Sequence, residues 1–120
     1  MVNWNWFSFI FYDNMEKEKI KIIFENEDFL VLDKPAGWVT TKENNKSEKN
    51  IEKWLEINRK NDLPRNGIVH RLDKGTSGIL IVAKNIKTLE YLKDKFKKRK
   101  IIKKYTALVE GDLPLIGEMN

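Results

Sequence analysis

With 120 residues and 41% hydrophobic content, the chain can bury one modest core and is too short for two ordinary domains. It contains no cysteine, which excludes disulfides and thiolate-bound metal. The net charge of +5 is concentrated, because residues 84–104 hold ten Lys and Arg against Glu90 and Asp94 and leave the remainder net negative. Such a stretch is either a solvated helix face or a surface for a polyanion, attracted over a screened range of roughly 10 Å. A cytoplasmic setting is the default for this composition.

The chain opens on VNWNWFSFIFY, from Val2 to Tyr12, which is apolar and aromatic but shorter than the roughly twenty residues a membrane span needs. No basic segment precedes it and no small-residue cleavage site follows, so neither a span nor a signal peptide is expected. Met15 then begins MEKEKIKII, which reads as an ordinary start. Residues 1–14 are therefore set apart as an apolar extension, either upstream sequence or an extra strand or interaction segment, and 15–120 are taken as the domain.

From Lys19 to Phe24 polar and apolar side chains alternate, and after the polar turn at 25–28 comes FLVL, Phe29 to Leu32. Two β-rich runs around a four-residue turn predict an antiparallel hairpin. Lys34-Pro35-Ala36-Gly37 ends the second strand, since Pro35 lacks a ladder donor. Residues 40–46 read as loop. Ser47 is placed to cap a helix beginning near Glu48, with Ile51, Trp54, Leu55 and Asn58 on one face. NDLPRNG, residues 61–67, breaks that helix, and 68–73 is a short extended segment. GILIVA, from Gly78 to Ala83, predicts a buried strand, and residues 87–99 a second helix with Leu89, Leu92 and Phe96 inward. IIKKYTALVE, 101–110, predicts a further strand stopped by Gly111.

The chemically informative stretch is HRLDKGTSGILIVAK, His70 to Lys84. It places Asp73 on a Gly/Thr/Ser loop just before an apolar strand. Gly75 and Gly78 let the backbone approach a ligand, and Thr76 and Ser77 can hydrogen-bond a carboxylate or the loop's own amides. A carboxylate held this way is a nucleophile or general base, or else a simple Asx cap. Composition and spacing leave both open.

The same stretch resembles the catalytic motif of RluA-type RNA pseudouridine synthases: HRLD, two residues, TSG, then an apolar strand ending Ala-Lys. His70 stands where the related RsuA type carries Gly. ENEDFLVLDKPAG, Glu25 to Gly37, is similar to that family's opening segment, and Lys104-Tyr105 in KKYTALVEG resembles its later tyrosine motif. Three motifs in one order make coincidence remote.

The resemblance implies an α+β fold, a mixed and largely antiparallel sheet with flanking helices, forming an incomplete pseudouridine synthase catalytic domain. It implies an isomerase that converts uridine to pseudouridine in ribosomal or transfer RNA without cofactor or metal, acting as a monomer away from membranes. Asp73 would attack the nucleoside at or beside C1′, and Tyr105 would stack on the detached uracil and help remove the C5 proton. Arg71 would fill the space of the extruded nucleotide, and His70 would orient the loop. Lys34 and the basic stretch would hold RNA phosphates. A later Gly-Arg and His-Gln-Ile-Arg segment of the family has no counterpart here, so the isolated chain is expected to be inactive or nearly so. Two other readings are a non-catalytic RNA-binding remnant and an unrelated α/β protein whose HRLD loop is structural.

Overall fold

The computed structural model describes residues 20–42 and 49–112. The apolar extension and Ser47 lie outside these residues. Strands β1 (Lys21–Glu25) and β2 (Phe29–Lys34) form the expected hairpin. Asn26 makes its turn: the side-chain Oδ1 accepts from the N–H groups of Asp28 and Phe29, at 2.8 and 2.9 Å. A bulge between Ile22 and Phe24 shifts the register, so Ile22 faces Leu32 and Phe24 faces Val31.

Strand β3 (Gly78–Ala83) pairs antiparallel with β2, from Phe29 opposite Ala83 to Lys34 opposite Gly78, giving the order β1-β2-β3. Alternation sends Leu30, Leu32, Leu80 and Val82 to one face, where they are buried with Ile51 and Leu55 of helix α1 (Ile51–Asn58). Each such side chain contributes about 1.5–3 kcal/mol by burial. The other face is only partly covered. Ile79 and Phe24 are exposed there, so β3 is buried on one side rather than throughout.

Helix α1 begins three residues later than Glu48, with Asn50 as N-cap accepting from the Lys53 N–H. Asn50 is as good a cap as Ser47, and it is fixed by the Val39–Asn50 bridge. A 3-10 turn at Pro64–Gly67 carries three consecutive positive φ angles, at Arg65, Asn66 and Gly67. Gly67 is required there. A Cβ would stand 2.0 Å from the Ala83 carbonyl oxygen. The turn brings Ile68 onto the free edge of β3, where it bridges to Val82.

Helix α2 (Ile86–Lys97) is N-capped by Asn85 and packs Leu89 inward, with Leu92 and Phe96 half-buried beside it. It ends in a Schellman motif: Lys100 N–H reaches Lys95 O, Arg99 N–H reaches Phe96 O, and Arg99 takes φ +53. The strand expected at 101–110 is absent, and Ile102, Tyr105 and Leu108 are exposed. The β-rich pattern alone cannot make a strand, and no described residue offers that segment a ladder partner.

Candidate active site

Asp73 sits on the connection between the Ile68 bridge and β3, at the end of the sheet where Lys34 faces Gly78. A turn closed by Thr76 N–H to Asp73 O, at 3.0 Å, leaves the Asp73 side chain exposed. Its two chain neighbours are fastened. On one side, buried Thr40 both donates its hydroxyl to Leu72 O (2.8 Å) and accepts from Leu72 N–H (3.1 Å). On the other, Lys74 O accepts from Gly37 N–H at 2.7 Å and from Lys34 Nζ at 3.4 Å. An exposed carboxylate is thus carried by a backbone pinned one residue to either side.

Lys34 differs from its expected role. The side chain is 0% exposed, and its ammonium donates to Trp38 O (2.7 Å), Pro35 O (3.2 Å) and Lys74 O, so it is turned inward from any phosphate. Burial lowers its pKa below 10.5, and the Asp73 carboxylate opposes that shift. Lys34 is therefore a positioning residue that puts positive charge behind Asp73. A lysine before Pro-Ala-Gly reads in sequence as a surface cation; only the alternation of β2, with Leu30 and Leu32 inward, hinted that Lys34 follows them.

His70 is half-buried, with Nε2 accepting from Ile81 N–H at 2.9 Å and the ring stacked on Phe96 at 4.7 Å. Burial first, and the Lys103 charge second, lower its pKa to about 4, so it is neutral at pH 7 and its acceptor nitrogen is already used. Thr76 is half-buried and supplies the N–H of the Asp73 turn, while Arg71 and Ser77 are exposed on the same loop. Tyr105 is 65% exposed and has no hydrogen bond or ring contact among the described residues. Thr40 was missed by sequence reasoning, which placed it in a polar loop; its hydroxyl is legible as a clamp only once Leu72 is seen beside it.

Among the described residues no group of His, Asp and Glu is arranged to hold a metal ion, and no helix is long and apolar enough to cross a membrane. A cavity of about 350 Å³, lined by Leu30, Leu55, Arg59, Val82 and Lys84 among others, lies at the opposite end of the sheet from Asp73.

The family model for RNA pseudouridylate synthase matches residues 28–120, which include the clamps and the Asp73 loop. The chain belongs to that family. It is 41% identical over 103 residues to ribosomal large subunit pseudouridine synthase D of Buchnera aphidicola subsp. Acyrthosiphon pisum, covering 84% of this chain and 33% of that protein. It is 41% identical over 107 residues to the protein of the same name from Borreliella burgdorferi, covering 78% and 31%. The chain thus spans about a third of the length of these curated relatives. A solved structure, human RNA pseudouridylate synthase domain containing 4, shares the fold at a TM-score of 0.52 and 18% identity, covering 76% of this chain and 33% of that one.

Proposed function

We propose that this pseudouridine synthase chain supplies the nucleophilic carboxylate for isomerising uridine in structured ribosomal or transfer RNA, in the cytoplasm and as a monomer. The observation that carries the reading is the double clamp: Thr40 on Leu72 and Lys34 on Lys74 hold Asp73 outward beside a buried cation. Fixed geometry is what a displacement at a sugar carbon needs, because misplacement by an ångström costs a large factor in rate. Asp73 attacks C1′ as the N1–C1′ bond breaks, or takes a proton from the ribose carbon beside it. The freed uracil turns and its C5 bonds to C1′ as the carboxylate is expelled, or as the ribose proton is returned. C5 then loses its proton and N1 gains one. Atoms balance without a cofactor. Arg71, Thr76 and Ser77 share the Asp73 loop, and on this reading they meet the extruded nucleotide there.

Tyr105, exposed in this structure, serves the later steps by stacking on the freed uracil and helping remove the C5 proton. The chain spans about a third of its curated relatives' length, and the 120 residues alone are expected to turn over uridine barely or not at all. The test is made in the source organism: codon 73 is changed to Ala and pseudouridine is mapped across ribosomal and transfer RNA. At least one modified position should vanish. An unchanged map would refute the assignment, and unchanged RNA affinity with no lost position would favour an RNA-binding remnant.

A further inference from the structure

Helix α2 turns Leu89, Leu92 and Phe96 inward, and Tyr91 lies on the opposite side, 61% exposed. Lys95 Nζ stands 5.1 Å from the Tyr91 ring centroid. Lys87 is one turn before Tyr91 and Lys95 one turn after, so the three residues form a stripe with steps of about 6 Å along the axis. Of the two acids on the helix, Asp94 pairs with Lys98 at 3.1 Å and Glu90 is exposed; among the described residues neither Lys87 nor Lys95 forms an ion pair. The ring adds nothing to the core.

Its placement relative to Asp73 matters equally. The last turn of α2 carries Phe96, which stacks on His70, three residues before Asp73. Tyr91 is therefore about 7.5 Å further along the helix axis from that contact. The Phe96–His70 contact ties the helix that carries the stripe to the segment that carries Asp73.

We infer that Lys87, Tyr91 and Lys95 form a second RNA contact, where Tyr91 stacks on an unpaired base flanking the target and the two lysines hold its phosphates. This rests on the RNA reading above and goes beyond it by assigning a surface to the flanking strand. Stacking on an exposed aromatic within a basic stripe is sequence-tolerant, so the contact selects single-stranded character rather than sequence. An acidic protein surface would satisfy the lysines but not the ring's open face.

Fluorescence anisotropy of a labelled hairpin with a uridine-rich loop, titrated with the 120-residue chain, tests this. Tyr91→Ala should weaken binding about fivefold or more, and Tyr91→Phe should stay within about twofold of wild type. Lys95→Gln should flatten the salt dependence by about 0.7 in log–log slope, while Lys53→Gln on α1 should not. Circular dichroism confirms that each variant is folded. Tyr91→Ala binding like wild type, or Tyr91→Phe falling as far as Tyr91→Ala, would overturn the stacking contact while leaving RNA binding intact. A wild-type chain that binds no RNA at all would overturn the underlying RNA reading instead.

Discussion

Replacing Lys34 with Met keeps the length and apolar stem of the side chain and removes its ammonium. Three backbone carbonyls lose a donor, and the best placed, Trp38 O at 2.7 Å, is left without its partner in a buried site. An unsatisfied buried acceptor costs about 1–3 kcal/mol. Against this, the variant is spared the desolvation of a charge, the larger influence on Lys34. The Asp73 carboxylate favours that charge, so the offset is partial, and a net loss of roughly 1–2 kcal/mol follows. In a domain this size that is a fall in Tm of about 4–8 °C per kcal/mol. Urea titration measures it. The pH dependence adds a signature: with the folded pKa below 10.5, the unfolded chain binds more protons in that window. Stability of the wild type relative to Lys34→Met should therefore rise as pH climbs toward 10.5. A Lys34→Met chain as stable as wild type at pH 7, with no difference in slope, would refute the clamp.

Thr40→Val removes the hydroxyl that serves both backbone groups of Leu72, and should cost about 1–3 kcal/mol by thermal melting, with a lower kcat in the active protein rather than a higher KM. For His70 the folded pKa of about 4 lies below 6.5, so the folded state holds fewer protons between these values. Its contribution is complete above about pH 6.5 and is lost as pH falls toward 4, by at most about 3 kcal/mol. Melts of wild type and His70→Gln across that range should converge on acidification. Gly67→Ala forces a Cβ into the Ala83 carbonyl at φ +90, and should cost about 3 kcal/mol or more in a urea titration.

Much of the fold was legible because its signals are local. The alternation of KIKIIF and FLVL, the Asn-bearing turn, and Leu89, Leu92 and Phe96 at helical spacing each act within a few residues. The α1 start was displaced because two good caps, Ser47 and Asn50, stand three residues apart, and only tertiary pairing with Val39 decides between them. Residues 101–110 carry strand propensity, but a strand is a relation between two segments, and the second is not among those described. At the candidate site, the motif singles out Asp73. Its supports were not legible, because Lys34 and Thr40 act on backbone groups 40 and 32 residues away, a distance no periodicity spans.

The central claim is that a charged carboxylate at position 73, held from both sides, performs the chemistry. Asp73→Asn in the protein purified from its source removes the charge with little change of shape. Single-turnover conversion of the RNA that it modifies should fall by at least about a thousandfold, while RNA affinity stays within about twofold. Conversion within tenfold of wild type would contradict the account.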